Sequence, residues 1–430
     1  MMIVDDSGSG RVWGRGVRET LPRTIETEKA EMEQIKKKHD RTVRQDCIYN
    51  GQLYETDLTQ VRVHDLCENM QIYNNLFIHL HNAVIHPEKL KEDVKKQKSY
   101  LPESTNVLYS NVFSVNCDFT FEDNRMYISF ISNKLKEWLK TVITTNKQML
   151  YHTKIEPKLT IAIQKINNED MYTLVKNWYN ILLVSSILTT NCRTQILYLG
   201  EWTTNASREK WQTMFENIQS IHFTKYSTMY SNLVWIIPDA DGPMSDLRSK
   251  NLPLMNTFRR FVFQRHGLTI QNTKNCKELK ILFVQTKSVQ TKKEDFMKST
   301  RDIRNVNELV DEIRRMYPKH SVNAIKTSDL SISEQISQVS RTNILIGMHG
   351  PGMTNILFLP DDSAVIEFFP KDTSTTNIKF KVLARWRDLF YTSHQILEKW
   401  NDFAEDGSTN VPLHIISLLL RRTVNKICHR

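Results

Sequence analysis

From Leu279 onward the chain alternates strand-like and helix-like segments over short connections, and this alternation restricts the fold more than any other feature. LKILFVQ, VNAIKT, NILIGMHG, SAVIEFFP and FYTSHQ are short runs rich in β-branched and aromatic residues. Between them lie VNELVDEIRRMYP, SISEQISQVSRT, MTNILFL and KFKVLARWRDL, with apolar residues at helical spacing. Such alternation predicts a parallel sheet with helices packed on its faces. An earlier series starts near residue 106. NVLYSNVFSVNC, RMYISFIS, LTIAIQKI, QILYLG, SIHFTK and NLVWIIP read as strands, and Met171 to Leu188 and WQTMFENI read as helices. PDADGPM is a turn cluster, and NLPLMNTFRRFVFQRHGL reads as a helix stopped at Gly267.

Two such series joined near residue 250 predict an α/β chain with two Rossmann-like domains facing a cleft. Residues 1–46 are polar and predict a disordered or charged helical segment. Residues 47–250 would form the first domain, 251–411 the second, and 412–430 a final amphipathic helix. Within the first domain, residues 47–105 mix short apolar runs with charge and predict no particular elements.

At 430 residues the chain is long enough for two cores. It has no run of about 18 apolar residues, so no transmembrane helix is expected. The opening MMIVDDSGSGRVWGRG lacks the apolar core and cleavage site of a signal peptide. The net charge of +10 would attract nucleic acid, acidic glycans or nucleotide sugars alike. Lys and Arg are interspersed with acids, and no RNA-binding or zinc-finger pattern appears, so nucleic acid is not expected as a partner. None of the six cysteines forms a CxxC pair. Disulfides in a secretory lumen and free thiols in the cytosol both remain open.

The segment that carries chemistry is NILIGMHGPGMTNILFLPDDSAVIEFFP, Asn343 to Pro370. A buried strand runs into a glycine-rich turn, and a helix starts beyond it. Gly350 and Gly352 let the backbone turn tightly and approach a ligand. Thr354 and Asn355 can donate hydrogen bonds near the helix start, where free N–H groups favour a phosphate. His349 would project into the crevice at the carboxyl end of the strand, and Glu367, at the end of the next strand, could accept from ribose hydroxyls.

HGPGMTNILFLPDDSAVIEFFP resembles the HGAGLTN segment of the family 61 glycosyltransferases, in particular the animal group that transfers N-acetylglucosamine to proteins. STRDIRNVNELV, Ser299 to Val310, resembles that family's TRxIxNExEL; ISEQI and LMNTFRRFV give further support. The resemblance implies an inverting transferase of the two-domain GT-B type, working in the endoplasmic reticulum or Golgi lumen. A nucleotide sugar would lie on the second domain and a protein or glycan acceptor on the first. The implied donor is a UDP-linked sugar, N-acetylglucosamine being the leading case, with no required cofactor. Arg301 and Asn305 match the arginine and asparagine of TRxIxN, so Arg301 would neutralise the diphosphate.

This chain departs from the family in three places. The second arginine of TRxIxN is Asp302. The alanine of HGAG is Pro351, which removes an N–H donor. The family's MYHHFxD helix reads MYTLVKN, with Asn177 in place of the acid. An inverting transfer needs a base for the acceptor hydroxyl, and the sequence assigns none. A relative that binds nucleotide sugar or glycan without turnover is the alternative. Asp239 and Asp241 imitate a metal-binding DxD but also read as a turn, and His79, His81 and His86 lack an accompanying acid or cysteine. No metal site is expected.

Overall fold

The computed structural model describes residues 63–429 except 74–75, 90–111, 120–130, 132, 145–151, 153, 166–168, 189–193, 203, 238–241, 271–273, 286–301, 372 and 398–407. The expected N-terminal segment 1–46, Arg301 and the Asp239–Asp241 pair lie outside the described residues. Residues 55–430 form one compact unit.

Its first sheet begins with three antiparallel strands, β1 (Val63–Cys67), β2 (Met70–Tyr73) and β3 (Phe77–Ile85). Next come β4 (Phe113–Asn116), helix α1 (Asn133–Val142), β5 (Ile143–Thr144) and β6 (Lys154–Glu156). A parallel portion is built from β7 (Thr160–Gln164), α2 (Met171–Ile187), β8 (Gln195–Leu199), α3 (Asn205–Met214), β9 (Ile218–Ser220) and β10 (Thr228–Ile236). The order is β1-β2-β3-β10-β7-β8-β9, with β10 antiparallel to β3 and parallel to β7. The first sheet is therefore mixed, whereas the sequence suggested parallel strands alone. SIHFTK is mostly not a strand. Ser220 ends β9 by donating its hydroxyl to Gly200 O (2.6 Å) and accepting from His222 N (3.2 Å), and a short 3₁₀ turn follows.

The second sheet is fully parallel. After α4 (Met255–Arg265) come β11 (Lys280–Gln285), α5 (Val306–Met316), β12 (Ser321–Lys326), α6 (Ile332–Val339) and β13 (Ile344–Met348). They are followed by β14 (Ala364–Phe369), α7 (Lys379–Trp386), β15 (Phe390–Gln395) and α8 (Leu413–Cys428). The order β12-β11-β13-β14-β15 places β12 on one side of β11 and the rest of the chain on the other. This is a doubly wound layer whose order reverses between β11 and β13.

Alternation of side chains explains how each strand serves two cores. Ile281, Phe283, Ile344, Ile346 and Ile366 face α5 and α8 in one cluster. Leu282, Val284, Leu345 and Val365 face the opposite way. They join a larger cluster with Phe258 of α4, Ile336 of α6, Leu383 of α7, Trp178 of α2, and Leu197 and Trp235 of the first sheet. The apolar interior thus runs without a break from one sheet to the other. Two disulfides are present among the described residues. Cys67–Cys117 joins β1 to the end of β4, and Cys276–Cys428 ties the approach to β11 to the last residue of α8.

Candidate functional site

β13 is buried along its whole length because parallel strands carry helices on both faces. Gly347 in that strand has no room for a side chain. A Cβ there would meet Met353 Sδ at 2.6 Å and the Val284 carbonyl at 3.1 Å. The chain leaves β13 at the point where the strand order reverses, which is where open α/β sheets bind ligands. His349 holds the exit by donating its backbone N–H to Phe368 O (2.7 Å). The segment beyond is a 3₁₀ helix, Pro351–Phe358, and not the α-helical turn that the sequence suggested. Gly352 through Phe358 are buried on every side, and Met353 N bonds Gly350 O at 2.9 Å, so the tighter winding fits between β13, α2, α6 and α7.

The side chains expected around this turn fall into three groups. His349 and Glu367 are brought together. His349 Nδ1 lies 2.6 Å from Glu367 Oε1, and Tyr391 donates its hydroxyl to Glu367 Oε2. His349 is 3% exposed and Glu367 0%, so the pair faces inward and not into an open crevice. Its ring stacks on Phe369 (4.8 Å) and meets Phe380 edge-on (5.1 Å). Burial first and the Glu367 charge second raise the Tyr391 phenol well above its ordinary value, which keeps it a donor.

Thr354 and Asn355 form the second group. Both are fully buried beside Gly352. Asn355 donates to Gly352 O (3.0 Å) and lies 3.5 Å from Gln335 Oε1, while Gln335 is itself fixed to Thr327 O and Leu330 O. Thr354 Oγ1 and Asn355 Oδ1 have no hydrogen-bond partner. Buried polar atoms left unpaired each cost about 1–3 kcal/mol, so two together beside a glycine turn are unusual. Gly350 is buried as well, and Pro351 is the partly exposed residue of the turn.

Asn305 stands apart. Its carboxamide donates to Val411 O and accepts from Val411 N, both at 2.9 Å, so it pins the segment leading to α8. Arg304 hydrogen-bonds Ser408 Oγ beside it (3.1 Å). Elsewhere, His79 and His81 lie side by side on β3, their ring centres 4.3 Å apart and their planes tilted by 46°. Burial, then the His81 charge, drives His79 down to about 4. Among the described residues no group of three or more His, Cys, Asp or Glu side chains is placed to hold a metal ion.

One group at this edge of the molecule was not singled out by the sequence. Glu169 lies between β7 and the start of α2, is half-buried, and accepts from Asn177 Nδ2 at 3.4 Å. Burial pushes its carboxyl up to about 7, while the Asn177 and Trp211 side chains and then the Lys210 charge pull the other way. The Glu169-Asp170 pair directly before an apolar helix was the available signal.

The fold and the turn together define a class: a doubly wound α/β protein with a glycine turn at the carboxyl edge of its parallel sheet. Within that class, residues 236–366 match the family described as Glycosyltransferase 61. The match runs from the end of β10 into β14 and includes the whole strand–turn segment, as the resemblance in the sequence implied. The chain is also similar to proteins named EGF domain-specific O-linked N-acetylglucosamine transferase. Identity is 35% over 96 residues with that of Rattus norvegicus, covering 22% of this chain and 18% of the relative. With Canis lupus familiaris it is 29% over 143 residues, 33% of this chain and 24% of the relative. With Drosophila melanogaster it is 26% over 179 residues, 37% of this chain and 32% of the relative. The chain thus spans less than a third of the length of these curated relatives.

Proposed function

We propose that this chain transfers a sugar from a nucleotide-sugar donor to a hydroxyl of a protein or glycan, by single displacement with inversion. The observation that carries the proposal is the position of the glycine turn. It leaves β13 where the order β12-β11-β13 reverses, inside the stretch that matches Glycosyltransferase 61. The donor diphosphate would lie over Gly350 to Asn355, with the unpaired Thr354 hydroxyl donating to it. The turn is covered by α2 and α7, so the donor approaches from the edge that carries Pro351 and Lys379. Arg301, which the family resemblance matches to a diphosphate-binding arginine, would meet the phosphates, while His349 and Glu367 act from beneath by fixing the exit of β13. A two-domain GT-B arrangement would give the acceptor the first sheet. By analogy with the printed names of the relatives, the donor is UDP-N-acetylglucosamine and the acceptor a hydroxyl on an EGF-type domain. The two disulfides suit the oxidising lumen of the endoplasmic reticulum or Golgi.

The test is a titration of the purified chain with UDP and UDP-N-acetylglucosamine, followed by a product assay. Thr354→Val keeps the shape of the side chain and removes an unpaired buried hydroxyl, so the fold should hold. The expected outcome is micromolar binding weakened at least fivefold by Thr354→Val and by Arg301→Ala. Failure of the wild-type chain to bind either nucleotide would overturn the proposal. Binding without product would favour a relative that holds nucleotide sugar without turnover, a reading supported by Asn177 and by the closed turn.

A further inference from the structure

The transferase reading leaves the acceptor's proton without a destination, and two carboxylates near the edge are already committed. Glu367 is fully buried and accepts from His349 and Tyr391. Asp170 caps α2 by accepting from Thr173 N (2.8 Å). Glu169 is different. It follows β7, which runs parallel to β8 and β10, and directly precedes the cap of α2. It is half-buried, and a long 3.4 Å contact from the buried Asn177 carboxamide holds it.

The start of α2 lies beside the glycine-turn edge. The Lys379 ammonium sits 4.3 Å from the centre of the Tyr172 ring, and the next residue, Phe380, packs against His349 at 5.1 Å. Helix α2 also packs directly on the 3₁₀ helix that follows the turn. Glu169 stands three residues before Tyr172, at this same end of α2.

Resting on the transferase reading, we propose that Glu169 is the base that takes the acceptor's proton and that Asn177 is its positioning residue. The Glu169 carboxylate accepts the hydroxyl proton as the acceptor oxygen bonds to the anomeric carbon. The bond from that carbon to the diphosphate oxygen breaks, and the nucleotide leaves with the electron pair. The proton then passes from Glu169 to solvent. The charged groups around Glu169 are Asp170 beside it in the chain and Lys210 on α3. A carboxyl pushed up to about 7 is half ionised at neutral pH and well matched to general-base work. Asn177 stabilises the ionised form, so removing it should raise the group further.

The experiment follows UDP release from UDP-N-acetylglucosamine with an EGF-type domain as acceptor, across pH 5–9, using the full chain. The wild-type rate should rise with pH through a limb centred near 7. Glu169→Gln should lose about 100-fold or more in kcat with UDP affinity unchanged. Its melting temperature at pH 8 should equal or exceed that of wild type, because a neutral amide avoids burying a charge. Asn177→Ala should move the limb to higher pH, a change that a purely structural role would not produce. If Glu169→Gln retains its rate, or the limb stays in place, Glu169 is not the base and the transferase reading stands. If wild type binds UDP but releases none at any pH, the transferase reading fails and takes the base with it.

Discussion

His349 and Glu367 show how a residue that looks like a ligand contact can be part of the frame. Glu367 has two donors and no exposure, so its stability depends on keeping both. His349→Ala should remove one donor from a buried carboxylate and destabilise the protein by about 3 kcal/mol. Glu367→Gln removes the charge with it and should cost less than about 2 kcal/mol. Urea midpoints of the two variants, measured at constant slope, decide the order. A smaller loss for His349→Ala than for Glu367→Gln would mean that the pair faces solvent. Loss of nucleotide binding in His349→Ala is informative only in a variant shown to be folded, and for that reason Thr354→Val is the better probe of the turn. Some of these positions were legible in the sequence. Thr354 and Asn355 are placed beside the glycine turn as the motif suggested. The Asn305 amide is taken up by Val411, 106 residues away, and no local pattern encodes such a partner. Glu169 was passed over because a helix as apolar as Met171 to Leu188 reads first as core.

Among the elements, α6 is the one whose ends are specified most locally. Ser331 accepts from Glu334 N (3.2 Å) while Glu334 reaches back to Ser331 N (2.8 Å), a complete capping box. Helix α6 supports Gln335 under the glycine turn, so fraying of its first turn should loosen the site as well. Ser331→Ala should cost about 1 kcal/mol by urea denaturation, and hydrogen exchange at Glu334 should speed up. Unchanged exchange there would mean that tertiary packing alone holds the turn. The strands and helices from Leu279 to Gln395 could be read from the sequence because each is a short apolar run bounded by turn residues. The strands from Val63 to Ile85 could not. In β3 the buried residues are Phe77, Ile78 and Leu80, then Ala83, Val84 and Ile85. Asn82 between them adopts a left-handed φ of 51°, which breaks the two-residue period on which a strand is recognised. The 3₁₀ helix was read as a short helix of the wrong winding, since propensity does not report how little space lies between β13 and α7.

For the whole molecule, the Cys276–Cys428 bond closes a loop with a sequence separation of 152 and fixes α8 against the second sheet. Loop-closure arguments give such a bond about 2–5 kcal/mol. Replacing both cysteines by serine should lower the melting temperature by several degrees and leave nucleotide binding intact, because α8 packs on the face of the sheet opposite the 3₁₀ helix. Differential scanning calorimetry with a parallel UDP titration checks both halves of the statement, and loss of binding would show that α8 supports the site. The continuous interior described above has a further consequence for substrate traffic. Val284, Leu345 and Val365 of the second sheet belong to one buried apolar cluster with Trp178 of α2 and Leu197 of the first sheet. Swinging the halves apart would expose that shared surface to water at about 25 cal/mol for every Å². On the proposed transferase reading, substrates would therefore have to enter without the two sheets parting along that shared apolar surface.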